Sequence, residues 1–167
     1  KNILATKYAD IGAASLYNLE LKGKNFRSAI LFTLAKAIYA AHPLADMPFE
    51  ETKLYTQVKC LAAAIEIAHN ASLLQDDIID RADSRRSVEA AHKVFGSSTS
   101  VFASDFMISR ASRALTEVFD NTHISQLFST AVYNLVYGEL LQAKRELGTS
   151  EINIDKGDLA VDPEEYF

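Results

Sequence analysis

The sequence predicts an all-α fold, an antiparallel helical bundle, and three observations predict it. Apolar residues recur at helical spacing over long segments, no segment alternates in the manner of a strand, and only 6 Gly and 3 Pro interrupt 167 residues. Reading from the amino terminus, a first helix spans 3 to 21 and Gly23 breaks it. A second covers 26 to 41, carried by the apolar-periodic run from Ile30 to Ala41 and stopped at His42-Pro43. The third and longest, 51 to 80, places Val58, Leu61, Ile65, Ala68 and Ser72 at the spacing of a buried face. A short helix at 89 to 95 is separated by Gly96 from a fifth at 98 to 119, and Asp120-Asn121-Thr122 supplies an N-cap for a sixth at 122 to 147. Short connections make neighbouring helices antiparallel. Residues 149 to 161 are polar, acidic and unpatterned, which predicts a loop.

Composition bounds the function classes. With 49% hydrophobic and 23% charged residues, residues 1 to 167 read as one domain of the intracellular globular class. A single cysteine, Cys60, rules out an internal disulfide framework and reads as core filler. The net charge of −5, with no massed basic patch, argues against nucleic-acid binding. No apolar run reaches 18 residues, so no transmembrane segment is expected. Whether the compartment is cytoplasmic or organellar, mitochondrion or plastid, is left open, because no targeting peptide is visible. The aromatic residues of the last two helices, Phe102, Phe106, Phe119, Phe128, Tyr133 and Tyr137, read as core or dimer-interface packing.

The chemistry concentrates at Asp76-Asp77-Ile78-Ile79-Asp80, three carboxylates within about one helical turn. At 3.6 residues per turn Asp76 and Asp80 share a face, roughly 6 Å apart along the axis, and Asp77 is rotated by about 100°. Two hard oxygen ligands on one face suit Mg²⁺ bridging to a diphosphate, because Mg²⁺ keeps waters and takes few protein carboxylates. A charged helix end facing water would carry the same cluster.

Basic residues flank it on both sides in the sequence. Arg85 and Arg86 follow the cluster, and guanidinium forks match phosphate oxygens. His69 lies seven residues before Asp76, nearly on the same face, as either a satisfied core histidine or a ligand. Lys24 and Arg27 sit at the start of the second helix, where cations oppose the helix dipole and, with its free N–H groups, would welcome an anion. An ordinary basic connector would look similar.

Together these residues resemble the first part of a trans-isoprenyl diphosphate synthase, the head-to-tail polyprenyl synthase family. The resemblance rests on His69-Asn70-Ala71-Ser72-Leu73-Leu74-Gln75 followed by the acidic cluster, then Asp83-Ser84-Arg85-Arg86. Gly23-Lys24-x-x-Arg27, Ala91-His92-x-x-Phe95-Gly96, Ala103-Ser104-Asp105-Phe106 and Gly138-Glu139-Leu140-Leu141-Gln142 follow in the family's order, over about residues 10 to 145. It implies the isoprenoid synthase bundle, truncated here before its C-terminal half, because the family's Lys-Thr pair and second Asp-rich motif are missing. Lys1 in place of Met, and helix-starting chemistry at Asp162-Pro163-Glu164-Glu165, fit a piece of a longer protein that would be inactive alone.

The resemblance also implies roles. Asp76 and Asp80, with Asp77 supporting, would bind the Mg²⁺ of an allylic prenyl diphosphate, and Arg85 would contact that diphosphate. Lys24, Arg27, His69 and Arg86 would hold isopentenyl diphosphate, and the partner would be a second chain in a homodimer or heterodimer. Ser87 and Glu89 stand where the family has Gly and Pro, Ser104 where it has Gly, and Asn25 where it has a basic residue. Ala71, Ser72 and Ala68 are too small to block a product channel, so a long-chain product is expected, from C20 upward.

Other classes remain distinguishable. A non-catalytic subunit of a heteromeric prenyl synthase would tolerate loss of the Asp triplet and the Arg pair. An all-helical metal phosphohydrolase would need His-Asp dipeptides, and none of His42, His69, His92 and His123 precedes Asp. A terpene cyclase would leave Lys24, Arg27 and His69 without a second diphosphate.

Overall fold

The computed structural model describes residues 3–21, 23, 25–42 and 47–146. Six helices fill it: α1 (Ala9–Glu20), α2 (Phe26–Ala40), α3 (Lys53–Ile79), α4 (Ala91–Phe95), α5 (Ser97–Val118) and α6 (His123–Glu146). A single 3-10 turn, Phe49–Glu51, precedes α3, and a hairpin of β1 (Ser84–Arg85) and β2 (Val88–Glu89) follows it. The all-α expectation holds, with most boundaries within two residues. Residues 3 to 8 are not helical, because Thr6 Oγ1 accepts from the Tyr8 N–H at 3.2 Å and offers the backbone a local turn instead. The hairpin shortens the expected fourth helix, and strands of two residues are too short for any alternation to show. The predicted loop at 149 to 161 and the helix start at Asp162 lie outside the described residues.

The core is the contact between α3 and α5. Ala64, Ile67, Ala71 and Leu74 of α3 meet Ala103, Met107, Ala111 and Leu115 of α5, all buried, with Ala14 of α1 and Phe128 of α6 completing the cluster. Small residues on both helices let the backbones approach closely and fix the rotation of each about its axis. Val58 and Ala68 of the expected stripe are buried, and the rest of the inner face is turned from it. Leu61, Ile65 and Ser72 are only half-buried, because the alanines take the inner positions while larger residues fill the flanks.

Helix α3 ends sharply, and the reason is local. Thr52 Oγ1 caps its start by accepting from the Tyr55 N–H at 3.0 Å. At the other end the Ala82 N–H donates to Asp77 O at 2.9 Å and the Arg81 N–H to Ile78 O at 3.2 Å, with Arg81 at φ 53°. This is a Schellman closure with arginine at the left-handed position where glycine is usual. It reverses the chain into the hairpin, whose far side is held by Tyr17 Oη donating to Glu89 O at 2.9 Å and by the edge-on contact of Tyr17 with Phe95.

The two-residue loop of the hairpin is Arg86-Ser87, at φ 50° and 67°. Both residues take positive φ, as a type I′ turn requires, although neither is Gly or Asn. Ser87→Gly removes that strain at the tip. The variant should be more stable by about 1 kcal/mol, and thermal unfolding of both proteins followed by circular dichroism should show a midpoint higher by roughly 2–4 °C.

Candidate functional site

The carboxylates at the end of α3 divide as helical geometry demands. Asp77 turns inward, 2% exposed, and Arg85 Nε from the hairpin donates to its Oδ1 at 2.8 Å and its Oδ2 at 2.7 Å. The same guanidinium reaches Asp76 Oδ2 through Nη2 at 3.3 Å. Asp80 remains exposed at the helix end. The Asp76 carboxyl is pushed up by burial first and by Asp80 second, an effect that Arg85 only partly offsets. From α6, burial and the charges of Asp76 and Asp80 push the Glu139 carboxyl up as well. This face carries more negative charge than its own cations neutralise.

Such a donor set fits a hard divalent cation. Among the described residues no three His, Cys, Asp or Glu side chains stand close enough to cage one. Asp76 and Asp80 would supply two oxygens and leave the other positions to water and ligand oxygens, the usual arrangement for Mg²⁺. Asp77 is committed to Arg85 and serves the site by holding that guanidinium in place.

A second, basic concavity of about 270 Å³ lies on the other side of the hairpin. Arg27 of α2, His69 of α3 and Arg86 of the hairpin line it, together with Asn18, Glu66 and Asn70. Lys24, placed in the same group by its sequence position, lies outside the described residues. Burial first and Arg27 second hold the His69 imidazole below its ordinary range, with Arg86 and Arg85 adding to the effect. Among the described residues neither Arg27 nor Arg86 forms an ion pair.

The start of α2 opens onto this cavity. Asn25, at φ 44°, makes no side-chain cap. Glu66 Oε1 accepts from the Ser28 N–H at 3.3 Å and from Ser28 Oγ at 3.1 Å, and the Ala29 N–H donates to Asn25 O at 3.0 Å. Among the described residues the Phe26 and Arg27 amides find no acceptor. Guanidiniums without an ion pair, free helix amides and the positive end of a dipole would together favour an anion there.

Arg85 and Arg86, adjacent in sequence, thus face two different places. Arg86 Nη1 donates to Leu21 O at 3.0 Å and crosses over Gly23, where an added Cβ would stand 2.8 Å from that nitrogen. The hairpin thus stands between an acidic face, with Asp76, Asp77 and Asp80, and a mainly basic cavity, with Arg27, His69 and Arg86 beside Glu66. Residues 9–166 match the family model described as Polyprenyl synthetase. The chain belongs to the polyprenyl synthetase family.

Similarity to individual members of the polyprenyl synthetase family is substantial. Over 150 residues the chain is 35% identical to the mitochondrial solanesyl-diphosphate synthase 1 of Oryza sativa subsp. japonica, covering 85% of this chain and 34% of that protein. Its fold is similar to geranyltranstransferase from Thermotoga maritima, with a TM-score of 0.72 and 25% identity over 86% of this chain and 50% of that one. The polyprenyl synthase of Caulobacter crescentus CB15, solved with calcium and isoprenyl diphosphate, gives a TM-score of 0.68 and 28% identity over 84% and 38% of the two chains. The chain spans about a third of the curated relative and half or less of these two solved structures.

The structure brings together all the sequence-derived site residues that it describes: Asp76, Asp77, Asp80 and Arg85 at one site, Arg27, His69 and Arg86 at the other. Asn18, Glu66, Asn70 and Glu139 join them without having been singled out. Asn70 and Glu139 carried a signal, within His69-Asn70-Ala71-Ser72 and Gly138-Glu139-Leu140-Leu141-Gln142. Gly23→Ala should displace the Arg86 guanidinium while leaving the fold intact, because only the far end of a flexible side chain must move. Calorimetric titration with inorganic pyrophosphate should show affinity reduced about tenfold, the loss of one charge-assisted hydrogen bond, at an unchanged thermal midpoint.

Proposed function

We propose that the protein containing this chain condenses isopentenyl diphosphate with an allylic prenyl diphosphate, head to tail, to give an all-trans polyprenyl diphosphate. The observation that carries this reading is the pairing of an acidic, cation-requiring face with a basic cavity across one hairpin. Two diphosphate substrates of different roles need two such sites. Mg²⁺ bound at Asp76 and Asp80 would neutralise charge on the departing diphosphate. Arg85, fixed by Asp77, points a preorganised guanidinium at the same leaving group. Arg27, Arg86 and neutral His69 hold the isopentenyl diphosphate, whose double bond attacks the allylic carbocation before a proton is lost. Family membership supports the reading, and the intact Asp76, Asp80 and Arg85 speak against a non-catalytic subunit.

A largely apolar concavity of about 320 Å³ runs beside α3, below the acidic face, with Ala68, Ser72, Ile108, Val132 and Leu135 among its lining residues. Its apolar lining supports an isoprenoid tail beside α3, and similarity to the solanesyl-diphosphate synthase supports a long one. Ala71, expected on this wall, is instead 1% exposed in the core, so the wall is set by Ala68 and Ser72. Exposed Phe102 of α5 and Leu127, Tyr133 and Tyr137 of α6 support pairing with a second chain, as a homodimer or heterodimer.

Incubating the full-length protein with labelled isopentenyl diphosphate, an allylic primer and Mg²⁺ should yield elongated products, and their absence would overturn the proposal. Removing Mg²⁺ with EDTA should abolish elongation, and Asp76→Asn should lower kcat by roughly 10²–10³, typical of losing an electrostatic stabiliser. Ser72→Phe, which fills the concavity without touching the diphosphate sites, should shorten the products seen by chromatography.

A further inference from the structure

Asn18 stands out in the interior of α1. It is 2% exposed, and among the described residues neither Nδ2 nor Oδ1 has a hydrogen-bond partner. Leaving a buried carboxamide unpaired costs about 1–3 kcal/mol, and native interiors rarely tolerate it. Asparagine is also a mediocre helix former, so nothing in the helix itself favours it there. Its neighbourhood explains the choice. Asn18 lines the basic cavity with Arg27, His69 and Arg86. The second buried amide of that wall, Asn70, spends its Nδ2 on Glu66 O at 2.8 Å and is structurally satisfied. Asn18 has no such engagement.

We infer that Asn18 is a binding residue for the diphosphate of isopentenyl diphosphate, an inference that rests on the proposed function. A diphosphate presents acceptor oxygens, so the Nδ2–H group donates to one of them after a turn about the side-chain torsions brings it to the cavity surface. The Oδ1 atom then accepts from a guanidinium or a water of the filled site. A neutral donor is useful here. Arg27 and Arg86 already supply positive charge, and a further cation would push His69 harder and raise repulsion within the ligand-free cavity. The carboxamide adds directionality with no charge, and the cost of burying it unpaired in the free protein is recovered when ligand arrives.

The test compares the full-length protein with Asn18→Leu, nearly equal in shape and without polar atoms. Asn18→Leu should raise the KM for isopentenyl diphosphate about tenfold, leave the KM for the allylic substrate within twofold, and weaken inorganic pyrophosphate binding in parallel. The ligand-free thermal midpoint should be equal or higher, because an unsatisfied amide has been removed. An unchanged isopentenyl KM overturns the inference while leaving the proposed function standing, and so does a lowered midpoint with both KM values unaltered. If the wild-type protein does not elongate at all, the proposed function fails, and the pyrophosphate titration alone decides the role of Asn18: weaker binding by the variant supports it and equal binding overturns it. Should Asn18→Leu not fold, Asn18→Ala carries the same comparisons.

Discussion

The ion pair between Asp77 and Arg85 is the constraint from which the rest of the site follows. Asp77 is almost fully buried at the end of a helix whose last turn is closed by its own carbonyl, so its carboxylate has one fixed place. The Arg85 guanidinium reaches both of its oxygens and brings the hairpin against α3 in one register. Removing one partner of such a pair leaves a buried charge uncompensated, and the cost commonly reaches several kcal/mol. Arg85 is partly exposed, so solvent reduces that figure here. The value of the pair is positional. With Arg85 fixed and a two-residue turn behind it, Arg86 must emerge on the opposite side, over Gly23 and into the basic cavity.

Electrostatics on the two sides of the hairpin run in opposite senses. Asp76 and Glu139 have carboxyl pKa values raised above the unfolded ones, mainly by burial, so their ionised forms oppose folding. Their contribution to stability is present below the unfolded carboxyl range and is lost as pH rises through the folded one. His69 is depressed, again by burial first, and the folded state prefers it neutral. That preference destabilises the folded protein as pH falls through the unfolded imidazole range. The acidic face gathers Asp76, Asp77, Asp80 and Glu139 around one guanidinium, and among the described residues the cavity sets Arg27 and Arg86 against Glu66 alone. A cation on the acidic face and an anion in the cavity would relieve both imbalances.

The sequence made the helices legible because their periods are long, and the two sites legible because arginines, histidine and aspartates are rare enough in such registers to be noticed. What it hid is short-range or three-dimensional. The strands of the hairpin hold two residues each, beneath any period. In the stripe Val58, Leu61, Ile65, Ala68 and Ser72, helical spacing identified Val58 and Ala68 correctly, and only the close approach of α5 selects Ala64 and Ala71 over Leu61, Ile65 and Ser72. Ala71 followed the same error from the product wall into the core. Asn18 has no sequence signature, because a lone asparagine on a helix looks like surface until both of its neighbouring elements are in place.

Helix α3 explains why those alanines matter for function. At about 100° per residue, Ala64, Ile67, Ala71 and Leu74 cluster on one face, and His69, Asp76 and Asp80 cluster roughly opposite it. Ala68, Ser72 and Gln75 fall between them on the side of the apolar concavity, while Glu66, Asn70 and Asp77 fall on the other flank. One helix thus presents a core face, a wall of the apolar concavity, an acidic face and the anchor of the hairpin. A rotation equivalent to one residue would exchange their duties and disable all four. Large side chains at the contact with α5 would permit several ridge-and-groove registers, whereas Ala against Ala, with Met107 and Leu115 filling the remaining gaps, leaves little room to turn. The close α3–α5 packing is therefore as much a part of the site as the carboxylates themselves, because it decides which way they point.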